Sequence, residues 1–159
     1  MSGVDAARAF ALLNMAVHDA LLTSFTGKFT YGLWRPVTAI READRDGNDA
    51  TVADPAWTPP LTTPPYPGHP GNMACIGAVE SRVLMRVFGQ DNIPFSVTWV
   101  MIDGSPSVTR GYNGFKQLAD EEAQSRIWGG IHFQFESQAS IGVCTPLGDY
   151  AVDNYLRRR

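Results

Sequence analysis

Ser125-Arg126-Ile127-Trp128-Gly129-Gly130-Ile131-His132-Phe133-Gln134-Phe135-Glu136 is the stretch on which the reading of this chain turns. It holds a hydroxyl, a guanidinium, an imidazole and a carboxylate, with two glycines between Arg126 and His132. Arginine is a permanent cation whose planar donor fork suits oxyanions. Gly129-Gly130 can bend the backbone so that Arg126 and His132 reach one point. Glu136 follows His132 by four residues, so in a helix the two share a face and the carboxylate can hold the imidazole in one tautomer. A donor fork beside an oriented imidazole suits a pocket that grips an oxyanion such as phosphate and engages it through nitrogen. The same spacing also occurs in surface ion pairs and satisfied polar clusters, so the rest of the chain has to decide.

The 159 residues fit a single domain spanning residues 1–159. A hydrophobic fraction of 44% and a charged fraction of 18% suit a soluble globular protein. The net charge of −3 gives no basic field for nucleic acid or for an acidic membrane surface. No apolar run approaches the length expected of a bilayer span, and the opening Met-Ser-Gly-Val-Asp has no signal-peptide pattern. The cellular location stays open. Cys75 and Cys144 are too few for a disulfide framework or a metal set, and each reads as a free buried thiol.

Along the chain, apolar periodicity predicts a helix over residues 4–25, apolar nearly all round and so inside a bundle. Asn14 and His18 share one of its faces and are expected to make a core hydrogen bond. The helix opens abruptly at residue 1, which suggests further architecture before it. Gly27 is expected to break it. Lys28 and Arg35 follow, seven apart, and Pro36 places Arg35 at a helix N-terminus, where free backbone donors add to the two cations. Residues 42–70 read as a long loop. Asp44, Asp46 and Asn48 around Gly47 form a polar turn rather than a calcium loop, since the closing glutamate is missing. Seven prolines between Pro55 and Pro70 keep the segment extended, and loops of this length are often functional. Further helices are predicted over residues 73–88 and 107–124, with a short extended piece at 97–101 between them. Residues 135–156 are expected as two helical pieces, interrupted at Pro146 and Gly148. The Arg157-Arg158-Arg159 end is a solvated tail or a cation cluster at a helix C-terminus. The sum is an all-α bundle with a long proline-rich loop.

Three separated segments thus offer anion-binding ends. Together they resemble the superfamily shared by vanadium-dependent haloperoxidases and type-2 phosphatidic acid phosphatases, whose pattern is K-x6-R-P, then P-S-G-H, then S-R-x5-H-x3-D. Lys28-x6-Arg35-Pro36 matches the first motif, and Ser125-Arg126-x5-His132 matches the third, with Glu136 in place of aspartate. The phrases around Arg35 and His132 look like the bacterial haloperoxidase branch, and the resemblance covers nearly the whole chain. Family members are usually longer, with helices upstream, so the resemblance implies a helical bundle truncated at its N-terminus.

The middle motif departs. Without gaps, Gly71 stands where the oxyanion-binding serine would be, Asn72 where the glycine would be, and Met73 where the acid–base histidine would be. Met cannot transfer a proton, and His69 replaces that histidine only if the loop is re-routed. By resemblance, Lys28, Arg35 and Arg126 neutralise the oxygens of vanadate or phosphate, with Gly71, Asn72 and Ser125 also at the oxyanion. His132 is the axial vanadium ligand or the phosphorylated nucleophile, and Glu136 orients it. The implied cofactor is vanadate, or phosphate in its place, with no other metal. The implied partners are halide and peroxide, or a phosphate ester, and a second copy covering exposed apolar faces. A haloperoxidase, a phosphohistidine phosphatase and a non-catalytic oxyanion-binding or oligomerisation remnant are the readings left to separate.

Overall fold

The structure is a computed structural model and describes residues 1–100 and 106–157. The chain runs α1 (Gly3–Tyr31), α2 (Pro36–Arg41), a 3-10 turn (Ala43–Arg45), α3 (Asn72–Phe88), β1 (Phe95–Trp99), β2 (Val108–Tyr112), α4 (Phe115–Trp128) and α5 (Gln134–Asn154). It is a helical bundle with α3 at its centre, packed against α1, α4 and α5. The core joins Leu12, Ala16 and Ala20 of α1 to Cys75, Ala78, Val79 and Val83 of α3 and to Cys144 and Ala151 of α5. Most of these residues are small, so the helix axes approach closely. A Cβ on Gly148 would lie 2.8 Å from Arg82 Cβ, and one on Gly77 would lie 3.2 Å from Ala119 Cα.

Several expectations are corrected here. Gly27 does not break α1, which runs on to Tyr31 and ends at Gly32, a left-handed cap (φ 60°). Gly27 is instead a contact point, since a Cβ there would lie 2.6 Å from Pro70 Cδ. Nor is α1 buried all round: Val4, Phe10, Leu22 and Phe29 are exposed. Asn14 and His18 lie on the solvent side, Asn14 bonding to the Phe10 carbonyl and His18 lying beside Asp19, so no core bond links them. The segment Gly3–Arg41 is long and apolar enough to cross a membrane by length and composition alone, although no such run is expected from the sequence. Its other face packs on α3 and α5 and buries Lys28.

Cys75 and Cys144 are not free thiols but form a disulfide between α3 and α5. Both lie on buried helix faces, a proximity that two isolated cysteines 69 residues apart do not reveal. Residues 108–112, expected in a helix, pair antiparallel with 95–99, Val97 opposite Arg110, so the bundle carries a small hairpin. Met101 of the expected extended piece lies outside the described residues. α4 starts only at Phe115, where Asp91 Oδ1 accepts from the Lys116 amide at 2.9 Å and supplies a cap from a distant loop. The final helix does not divide. α5 runs continuously past Pro146 and Gly148, because Ser140, Cys144, Gly148 and Ala151 lie buried along one stripe. Burial of that stripe outweighs the lost proline hydrogen bond.

The helix expected over 73–88 is present. The turn around Asp46 is polar, with Asp46 accepting from the Asn48 amide and the Thr51 hydroxyl. Arg157 bonds to the Asp153 carbonyl at the end of α5, as a cation at a helix C-terminus should, while Arg158 and Arg159 lie outside the described residues.

Candidate functional site

The proline-rich segment is a strap. Trp57, Pro59 and Pro60 lie against Gly130, the Leu61 amide donates to the Gly129 carbonyl at 3.2 Å, and the strap then crosses the bundle end at residues 66–71. There it meets α1, the start of α2 and the turn before α5. Lys28, fully buried, donates from Nζ to the carbonyls of Pro67 (3.0 Å) and Gly68 (2.7 Å). Arg35, as expected, precedes Pro36 at the start of α2. Its Nε donates to the Tyr66 carbonyl at 3.0 Å, and its Nη1 to the Ile131 carbonyl at 2.8 Å and to His132 Nε2 at 2.9 Å. Tyr66 presents its ring to both cations at 5.4 Å.

His132 lies one residue ahead of the α5 N-cap, Phe133. Its bond to Glu136 is therefore not a side-chain pair within one helix. Glu136 sits in the first turn of α5, where the free backbone amides favour a carboxylate. Its Oε2 accepts from the Phe133 amide at 2.8 Å and is 2.9 Å from His132 Nδ1. A guanidinium only donates, so His132 Nε2 is an unprotonated acceptor and Nδ1 carries the proton given to Glu136. Burial holds His132 below its ordinary imidazole range, against the upward pull of Glu136; Arg35 and Lys28 add to the lowering. The imidazole is thus neutral, and its Nε2 lone pair faces the basic cluster, where it accepts from Arg35 Nη1. Burial, and next the Arg35 charge, brings Lys28 down to about 8.

The middle motif lies directly on this pair. A Cβ on Gly68 would collide with Glu136 Oε1, and one on Gly71 would sit 3.5 Å from His132 Cε1. Gly71, however, gives its amide to Ser140 Oγ at 2.7 Å rather than to the pocket. The Ser125 hydroxyl returns to the Glu122 carbonyl at 2.7 Å. The His69 ring lies between those of Tyr31 and Phe135, at 5.6 and 6.4 Å between centroids. Met73 opens into a separate cleft shared with Ser125 and Arg126. Lys28, Arg35, His132 and Glu136 therefore form one connected cluster roofed by Gly68 and Gly71. Arg126 acts on Arg35 through its charge, opposing it.

Unsatisfied atoms show what this cluster can hold. Arg35 Nη2 and Arg126 Nε are buried donors without a partner, as are the acceptor Asn72 Oδ1 and the ring nitrogen His69 Nδ1. Buried donors left unpaired are costly, and the free Nη2 of Arg35, whose Nη1 lies on the neutral imidazole, is a donor suited to an anion.

Residues 8–158 match the VCPO second helical-bundle domain. The chain belongs to that family. Its relatives in the curated proteins include the vanadium chloroperoxidase of Curvularia inaequalis, 26% identical over 201 aligned positions, which cover 97% of this chain and 32% of that protein. A solved bacterial vanadium-dependent iodoperoxidase superposes with a TM-score of 0.78 at 32% identity, over 91% of this chain and 32% of that one. A holo-type bacterial vanadium-dependent chloroperoxidase gives 0.73 at 21% identity, over 88% and 34%, and shows the shared fold. The chain spans about a third of the length of these relatives. Within the VCPO bundle, the residues that sequence reasoning missed are Ser140, which holds Gly71, and the carboxyl pair Glu80 and Glu122 beside Arg126. Glu122 precedes Arg126 by one helical turn, and that spacing was the available signal.

Proposed function

We propose that this chain is the oxyanion-holding bundle of a vanadium-dependent haloperoxidase, binding vanadate through His132 and oxidising halide with hydrogen peroxide. The observation that carries the reading is the neutral His132 ring. Its Nδ1 proton is committed to Glu136, and its Nε2 lone pair lies among Arg35, Lys28 and an unpartnered guanidinium nitrogen. Arg35 Nη1 rests on Nε2, so it has to leave that nitrogen when the oxyanion binds. Bound vanadate would supply the electrophilic centre that activates peroxide. Arg35, Lys28 and Arg126 would balance its negative oxygens, and Glu136 would keep His132 in the ligating tautomer. Asn72 and the 68–71 turn, with His69, complete the wall, and Ser125 supports the end of α4. Phosphate, of the same tetrahedral chemistry, would fit the same donors, and attack by Nε2 on a phosphate ester is the competing reading. By the same proposal, residues 1–159 form one domain, and a second copy covers the exposed apolar face of α1.

The test is binding of vanadate and of phosphate, followed by turnover of a halide indicator with peroxide and of an aryl phosphate. Vanadate binding and halide oxidation, both lost in His132→Ala, are the expected outcome. Aryl phosphate turnover alone moves the assignment to the phosphatase, and failure of either anion to bind overturns the reading. Light scattering on the full chain tests the second copy; a monomeric mass removes that part.

A further inference from the structure

A cleft of about 630 Å³ opens between α3, α4 and the hairpin, lined by Met73, Trp99, Glu122, Arg126 and Trp128 among others. Glu80 and Glu122 line it, and they also line a second, apolar cavity of about 250 Å³ with Leu84, Phe95 and Phe115. The two carboxyls thus stand on the wall between two cavities. Glu122 reaches across to α3: a Cβ on Gly77 would lie 2.7 Å from its Oε2. Gly77 is one helical turn beyond Met73, so the carboxyl lies a turn from the position where the resemblance places the acid–base histidine. At the other end, Arg126 lines the same cleft, and its charge acts on Arg35 of the His132 cluster. Met73, which lines the cleft, has no proton to give.

We propose that Glu122 is the catalytic acid of this site, replacing the histidine absent at Met73, and that Glu80, on the same wall of the two cavities, is its positioning residue. This rests on the reading that the His132 cluster binds vanadate. Oxidation of halide by hydrogen peroxide gives hypohalous acid and water. The halide loses two electrons, the peroxide O–O bond accepts them and breaks, and one proton is consumed. Glu122 delivers that proton and regains it from solvent through the cleft.

The surroundings support a protonated carboxyl at neutral pH. Burial, and then the Glu80 carboxylate on α3, raise Glu122 to about 7, while Arg126 on α4 opposes them. From the hairpin, Arg110 and Tyr112 are both committed to Glu121, at 2.7 and 3.1 Å. Among the described residues, no other charged group is resolved as acting on Glu122. Burial also raises Glu80.

The experiment uses the full chain loaded with vanadate, and Glu122→Gln is the first variant. Halide oxidation should fall about 10²–10⁴-fold, the usual worth of acid–base assistance, with vanadate affinity unchanged. Wild-type turnover should fall as pH rises through about 7, a limb that Glu122→Gln lacks. Glu80→Gln should move that limb to lower pH, because the like charge that raises Glu122 is gone. Met73→His in the Glu122→Gln background should restore turnover. Independently of activity, carbon-13 NMR of glutamate carboxyls in vanadate-free protein should show one group titrating near 7 that disappears in Glu122→Gln. Wild-type turnover in Glu122→Gln, ordinary titration of every glutamate, or vanadate binding with no turnover each overturns the proposal. No vanadate binding at all overturns the His132 reading with it, which separates the two failures.

Discussion

The chemistry of single residues here is decided by what each buried polar atom can find. Glu136 accepts from both the His132 ring and the Phe133 amide, and it is fully buried. Glu136→Gln keeps the shape but can turn an amide toward one of those donors. Vanadate affinity is therefore expected to fall about 10–100-fold, measured by titration, as for other groups that hold a metal-ligating histidine. The lowered His132 basicity has a sign of its own: the ring stays neutral until the pH falls below its depressed range, and only the neutral ring ligates. Vanadate binding should thus persist to more acid pH than an ordinary imidazole permits. Lys28 behaves in the same sense. Its folded value, about 8, lies below its unfolded value, so the unfolded chain binds more protons between the two. Stability of the anion-free protein should rise as pH climbs through that window. Lys28→Met should flatten the slope in thermal melts, and an unchanged slope assigns it to other groups.

At the scale of elements, close contact between helices outweighs local preference. Alanine is favoured over glycine by about 1 kcal/mol in a helix interior, yet a Cβ at Gly27 would meet Pro70 Cδ at 2.6 Å. Gly27→Ala should therefore lose about 1–3 kcal/mol in urea unfolding, because the strap over Lys28 has to move. Stabilisation by that change would show that the strap yields freely. The Cys75–Cys144 bridge ties α3 to α5 inside the core. Its removal by Cys75→Ala with Cys144→Ala should cost about 2–5 kcal/mol, read as a lower melting temperature than the oxidised wild type. The same α3–α5 contact keeps α5 whole across Pro146, so a proline that signals a break locally is absorbed by packing.

For the molecule as a whole, Lys28 and Arg35 beside the neutral His132, with the Arg126 charge acting on Arg35, concentrate positive charge and unpaired donors within an otherwise acidic chain. An oxyanion that binds only the folded state stabilises it by mass action, about 2.7 kcal/mol at a hundred times its dissociation constant. Vanadate and phosphate should both raise the melting temperature, and the shift should shrink in Arg35→Ala. Melting that ignores both anions would leave the buried donors unexplained. The strap supplies the other half of this picture. It crosses the α4–α5 turn at Gly129-Gly130 and closes over Lys28 and Glu136, so one loop covers groups drawn from both ends of the chain.

The helical class and the meeting of Arg35, His132 and Glu136 near Lys28 were legible in the amino-acid order. Apolar periodicity records helices directly, and the two motif spacings record which side chains have to meet. Gly71 was legible only as a departure from the middle motif; that Gly68 presses on Glu136, and Gly71 on His132, needed the folded chain. Other features were decided by tertiary structure alone: the Cys75–Cys144 bridge, the continuity of α5, the 95–112 hairpin, the exposure of Asn14 and His18, and the position of Glu122 beside Gly77. Each depends on a partner distant in sequence, or on which side of a helix the neighbours leave open. Local patterns carry the period of an element, whereas burial, pairing and proton affinity are set by what packs against it.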